Sequence, residues 1–179
     1  MSVAASAAAE APGFRAAGGS RVVVGIGELA VSQNPNEVIV THALGSCIAV
    51  CIFDPVVRVA AMLHFLLPES QINAERAKNQ PAAFADTGIP MLFQTAYKYG
   101  LDKKRAIVKL AGGAELGDSG GSALQIGRRN ALAAKNLLWK NGVLVKSQDV
   151  GGSVARTVYL SVQDGRMQIV DGREKAKEL

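Results

Sequence analysis

The sequence predicts an α+β (mixed α/β) fold, with packed, largely antiparallel β-sheets flanked by about two helices. Three observations predict it. Short runs rich in Val, Ile and Thr recur at residues 22–31, 37–41, 48–53, 57–65, 106–111, 143–145, 156–162 and 167–170. Two other stretches carry apolar residues at helical spacing. Asp54-Pro55 and Asp164-Gly165 mark turns that join neighbouring runs.

A chain of 179 residues suits one domain with tails. The expected division is a leader at 1–20, a single domain at 21–172 and a charged tail at 173–179. The leader is Ala, Gly and Ser without an apolar stripe, so disorder is expected there. Hydrophobic residues make up 49% of the chain and charged residues 20%, which is ordinary for a globular protein. The net charge of +5 permits an acidic partner without demanding one. Basic residues do not alternate with aromatics, which argues against nucleic acid as a partner. No apolar run approaches the roughly 18 residues of a membrane span, which argues against direct membrane insertion. With only two cysteines and no signal-peptide pattern, a reducing, cytoplasmic setting is the natural expectation.

Taken in order, Val22 to Val31 reads as a strand with a glycine bend at Gly25 and Gly27. Asn34-Pro35-Asn36 is a turn, and Glu37 to Thr41 a short strand. A loop, Ala43-Leu44-Gly45-Ser46, leads to Cys47. Ile48 to Phe53 is a strand, Asp54-Pro55 breaks it, and Val57 to Phe65 returns. Glu69 to Ala83 is polar and reads as a surface loop. Asp86-Thr87 fits the cap of a helix from Gly88 or Ile89 to Tyr99, with Pro90 in its first turn. Ile89, Leu92, Phe93, Ala96 and Tyr97 form its apolar face. Ala106 to Ala111 is a strand, followed by Gly112-Gly113-Ala114 and a Gly-rich loop spanning 117–121. Asn130 to Asn141 is a second helix. Val143 to Val145 is a strand, Asp149-Val150-Gly151-Gly152 a turn, and a final hairpin covers residues 156–170.

The hairpin around Asp54-Pro55 holds the candidate chemistry. If Asp54 to Val57 form its loop, Phe53 opposes Arg58 and Cys47 opposes His64. Directly opposed side chains share a face, with Cβ atoms roughly 4.5–5.5 Å apart. An imidazolium at that distance can lower a thiol's pKa and favour a thiolate nucleophile. The turn at Gly45 and Ser46 can present backbone N–H groups to an oxyanion. A one-residue slip would separate the pair. The local sequence leaves open that Cys47 is a small buried apolar residue and His64 a satisfied core histidine.

The other candidates are weaker. Thr41 either orients His64 or binds substrate, or is an ordinary strand-end threonine. Cys51 lies roughly 13 Å along the strand from Cys47, too far for a disulfide or a shared metal, and reads as core. Only a helical stretch would bring the two cysteines together in a metal site. His42 reads as a surface or loop histidine. The glycine runs lack the Lys-Ser/Thr ending of a phosphate loop. Asp86 fits a helix cap better than a catalytic acid.

Taken together the motifs resemble one family. They are Leu44-Gly45-Ser46-Cys47, Cys51 through Asp54-Pro55, His64 through Pro68, Ala85-Asp86-Thr87, Ile89-Pro90, Gly112-Gly113-Ala114, Ile126-Gly127-Arg128-Arg129-Asn130 and Asp149-Val150-Gly151-Gly152. In this order they are similar to the CheD family of bacterial chemoreceptor glutamine deamidases, from about Val22 to Gly172. The resemblance implies a nucleophile at Cys47, a base at His64 and a supporting Thr41, in a core of packed sheets flanked by helices. It implies deamidation of glutamines on the cytoplasmic helices of methyl-accepting chemotaxis receptors, with no cofactor and no metal. It also implies binding to a CheC-type phosphatase, so a non-catalytic interaction module is the alternative reading. Two departures fall in loops: Ala155 where the family usually has glycine, and Glu115-Leu116 where it usually has a bulky Met or Phe.

Overall fold

The computed structural model describes residues 19–115, 125–173 and 175–179. The expectations for the leader before residue 19 and for the Gly-rich loop at 117–121 lie outside the described residues. Those residues form ten strands in two five-stranded sheets, together with three α-helices.

The run at 22–31 is two strands rather than one. β1 (Arg21–Val23) pairs in parallel with β3 (Val38–Leu44) in the first sheet. β2 (Glu28–Ser32) pairs antiparallel with β5 (Val59–Phe65) in the second. The chain changes sheets at Gly27, whose φ of +73° suits glycine. A side chain there would also collide with the Gln80 amide.

The first sheet runs β1-β3-β8-β9-β10, with β8 (Arg156–Ser161), β9 (Met167–Asp171) and β10 (Ala176–Glu178). The second runs β2-β5-β4-β6-β7, with β4 (Ile48–Asp54), β6 (Ile107–Gly112) and β7 (Val145–Val150). Apart from the parallel pairs β1/β3 and β6/β7, neighbours are antiparallel, in keeping with the expected character.

The charged end carries a short strand. Ala176–Glu178 pairs with β9, and Lys177 Nζ lies 2.9 Å from an Asp149 oxygen. All three β10 residues are exposed, so backbone pairing specifies the strand and no apolar alternation announces it. Residues 145–150 form one strand, taking in the Asp149-Val150 expected to turn. The turn comes at Gly151 and Gly152, both at positive φ.

The helices also start earlier than their apolar stripes suggest. α2 spans Ala85–Tyr97 and α3 spans Ile126–Lys140. Asp86 therefore lies inside the first turn of α2 and does not cap it. Its carboxylate accepts from the Ser70 N–H and hydroxyl at 2.7–3.0 Å. Pro90 sits beyond that first turn. The segment expected as a surface loop contains α1 (Ala74–Asn79), capped by Asn73, between two short 3₁₀ turns.

The packing has three layers. Ala49, Cys51, Phe53, Ala60 and Met62 face Ile39, Val158, Leu160 and Met167 of the first sheet. The alternate residues of β4 and β5, including Ile48, Val50, Ile52, Leu63 and Phe65, face α2 and α3 through Leu92, Phe93, Ala134 and Leu138. Every residue of β4 and β5 is buried, which explains why both read as continuous apolar runs. Fully burying each Ile or Leu contributes roughly 1.5–3 kcal/mol. This hairpin is thus a firm base for the residues at its open end.

Candidate active site

The β4–β5 register differs from the expected one. Asp54 opposes Val59, and Ala49 opposes His64. The loop is Pro55 to Arg58. Asp54 Oδ1 accepts from the Val56 N–H at 3.0 Å, and Arg58 has φ +52°. The loop begins one residue later than the sequence suggested and still holds four residues. The pairing therefore slips by two positions, an even shift that preserves faces. Cys47, just before β4, shares the inter-sheet face with His64 as a diagonal neighbour rather than the directly opposed one.

β3 brings in the third residue from the other sheet. Thr41 opposes Val158 and is fully buried. Its hydroxyl donates to the Val24 carbonyl at 2.7 Å and lies 2.8 Å from His64 Nδ1. A hydroxyl has one proton to give. With that proton on Val24, the Thr41 oxygen accepts from His64, so Nδ1 carries the hydrogen. Nε2 is then the bare nitrogen. It is buried and makes no hydrogen bond, to the Cys47 thiol or to any other described group. Two backbone bonds fix the surroundings: Val24 N–H to Val40 carbonyl at 2.8 Å, and Gly27 N–H to His64 carbonyl at 2.7 Å.

Burial sets the charge of both groups. It lowers the His64 pKa to about 4 and raises that of the Cys47 thiol. The Cys47 backbone N–H and the Arg76 charge act against that rise. At neutral pH the site rests as a thiol and a neutral imidazole. Cys51 sits in β4 and differs: full burial pushes its thiol up to about 12. The extended backbone holds the two cysteines apart, as the spacing implied. His42 is exposed on β3, edge-on to Tyr159.

The turn carrying Cys47 is clamped from several sides. Gly113 N–H donates to the Cys47 carbonyl and Ala114 N–H to the Gly45 carbonyl, both at 2.8 Å. Gly112, at φ +112°, leaves no room for a side chain against the Cys47 carbonyl. Gly151 N–H donates to Gly112 and Glu115 N–H to Gly152, so the second glycine pair supports the first. From α3, buried Asn130 donates through Nδ2 to the Ser46 and Leu66 carbonyls at 2.9 and 2.8 Å. The Ser46 and Cys47 N–H groups donate to no backbone carbonyl among the described residues.

The sequence reading put Cys47 directly opposite His64 and offered Thr41 as a residue that could orient the imidazole; the structure makes Cys47 a diagonal neighbour of His64 and sets the Thr41 hydroxyl 2.8 Å from Nδ1. The sequence reading missed the Val24 carbonyl that fixes the histidine tautomer, since a backbone group leaves no sequence signal. It quoted Asn130 without a role. A polar residue on the buried side of a helix was the signal available there.

These features define a class: a two-sheet α+β domain with a cysteine beside a neutral histidine of fixed tautomer. Comparison with known proteins makes the assignment specific. Residues 66–171 match the model of a family described as CheD chemotactic sensory transduction. A probable chemoreceptor glutamine deamidase CheD 2 of Anaeromyxobacter dehalogenans is 50% identical over 157 residues, covering 88% of this chain and 98% of the relative. A probable chemoreceptor glutamine deamidase CheD 1 of Syntrophus aciditrophicus is 43% identical over 158 residues, with the same coverage of both. The chemoreceptor glutamine deamidase CheD of Thermotoga maritima is 41% identical over 147 residues, covering 82% of this chain and 89% of the relative. The chain belongs to the CheD family.

Proposed function

We propose that this protein hydrolyses glutamine side-chain amides to glutamate on the cytoplasmic helices of chemotaxis receptors, with Cys47 as nucleophile and His64 as base. The relatives' names supply the substrate class. The observation that carries the mechanism is the Val24–Thr41–His64 chain, which puts the hydrogen on Nδ1 and leaves a bare Nε2 on the face shared with Cys47.

The steps follow from those groups. The amide carbon of the substrate is brought to the Cys47 sulfur. The thiol proton passes to Nε2 as sulfur adds to the amide carbon. The N–H groups of Ser46 and Cys47 are available to the negative oxygen that forms. His64 passes the proton to the departing nitrogen, the C–N bond breaks, and ammonia leaves a thioester. Water then adds to the thioester carbon, giving a proton to Nε2. The C–S bond breaks, glutamate is released, and the proton returns to sulfur. Thr41 keeps the imidazole in one tautomer throughout.

Among the described residues no helix is long and apolar enough to cross a membrane. We place the protein in the cytoplasm, where the receptor helices are, with a CheC-type phosphatase as a second binding partner. The test is ammonia release from receptor cytoplasmic fragments, with converted glutamines located by mass spectrometry. Wild type should deamidate, while Cys47→Ala should not and should melt as wild type does. Undiminished deamidation by Cys47→Ala overturns the mechanism. If wild type is inert on every receptor fragment yet binds CheC, the interaction-module reading replaces it.

A further inference from the structure

The excursion between β5 and α2 closes on itself beside the site. It leaves the sheet at Leu66, next to the clamped Cys47 turn. It returns at Ala83, whose carbonyl accepts from the Leu66 and Leu67 N–H groups at 2.8 and 3.1 Å. α1 stands at its middle. Gln80, just after α1, ties it to the sheet crossover: Nε2 donates to the Ile26 carbonyl at 3.0 Å. The next residue, Gly27, donates its N–H to the His64 carbonyl. The other end of the same amide, Gln80 Oε1, accepts from Arg76 Nε at 3.1 Å.

One amide therefore joins the Arg76 guanidinium to the backbone that holds His64. Arg76 forms no salt bridge with a carboxylate among the described residues. Among the described residues, its charge is the one that acts against the rise of the Cys47 thiol pKa. The other ionisable groups on that side are differently placed. Glu28 lies opposite His64 on β2, with its carboxylate on the Gly25 N–H. Lys109 of β6 acts on Cys51, deeper in the sandwich.

We propose that Arg76 is a positioning residue: its guanidinium, held by Gln80 beside the β1–β2 crossover, supplies the fixed positive charge that favours anionic sulfur at Cys47 and the negative oxygen that follows. The need is physical. Burial opposes any negative charge on this thiol, and His64 is a weak base in the same surroundings. A fixed cation offsets part of that penalty without reorganising during the reaction. Gln80 matters because a free arginine side chain would stay in solvent, where its field is screened.

The proposal rests on Cys47 as nucleophile, and its test is read without substrate. The rate of Cys47 carboxamidomethylation by iodoacetamide is followed against pH by peptide mass spectrometry, which separates it from Cys51. In Arg76→Gln the alkylation midpoint should move to higher pH, with the rate at pH near 8 falling about three- to tenfold. Arg76→Lys should retain most of the wild-type rate, and Gln80→Ala should fall between. Deamidation kcat should fall in the same order. Two results overturn the proposal: an unchanged alkylation profile in Arg76→Gln, or a rise in KM alone, which would assign Arg76 to substrate recognition. Because the thiol profile is measured directly, these failures are distinct from loss of the Cys47 assignment, which Cys47→Ala reports.

Discussion

The depressed His64 pKa has a measurable consequence for stability. In the unfolded chain the imidazole titrates near its ordinary value of 6.5, and in the fold near 4. Between those values the unfolded chain binds more protons, so stability rises with pH. The contribution is fully present above pH 6.5 and is lost as pH falls toward 4. A shift of this size corresponds to roughly 3 kcal/mol at full extent. That is a large fraction of a small domain's total stability. The perturbation is acidification, and the assay is urea unfolding of wild type and His64→Gln at pH 7, 6, 5 and 4. Carboxylates contribute their own pH dependence to both proteins, so the informative quantity is the difference between the two curves. Wild type should lose about 2–3 kcal/mol more than the variant over that range. Parallel curves, or an imidazole resonance titrating near 6.5 in the folded protein, would refute the reasoning.

Two further outcomes follow from the geometry around this histidine. Thr41→Val removes the hydroxyl that serves both Val24 and His64; it should destabilise by about 1–3 kcal/mol in urea unfolding. It should also lower kcat by up to about 10²-fold, because the base can then adopt the wrong tautomer. Thr41→Ser should restore most of the activity, and a fully active Thr41→Val would remove Thr41 from the mechanism. Gly112→Ala places a methyl group against the Cys47 carbonyl at a backbone φ that disfavours it. It should lower both the melting temperature and kcat, at a cost of about 1–3 kcal/mol in strain. A variant that melts and turns over as wild type would show that the turn tolerates movement.

How much of this was legible in the sequence depends on which interaction specifies each feature. The two-sheet core was legible because burial writes itself into residue type: β4 and β5 are buried throughout and apolar throughout. β10 was not, because only backbone pairing and charged contacts hold its exposed residues. The start of α2 was not, because Phe84 occupies its cap position without any side-chain cap, while Asp86 serves Ser70 instead. α1 was hidden for a related reason: none of its residues is buried, so it has no stripe to read.

The site sits between those extremes. The expected opposition of Cys47 and His64 came from a loop assumed to start at Asp54, and the structure starts it at Pro55. The pairing was wrong by two positions, yet the shared face survived because strand side chains alternate with period two. A loop one residue longer or shorter would have sent the imidazole to the helix side, among Leu63 and Phe65. The sequence could thus suggest that a thiol and an imidazole share a face. It could not say which ring nitrogen is bare. That is decided by a threonine from the other sheet whose single proton goes to the Val24 carbonyl, a long-range arrangement no local pattern encodes. The chemistry proposed for this end of the sandwich therefore depends as much on β3 and the β1–β2 crossover as on the hairpin that carries the cysteine and histidine.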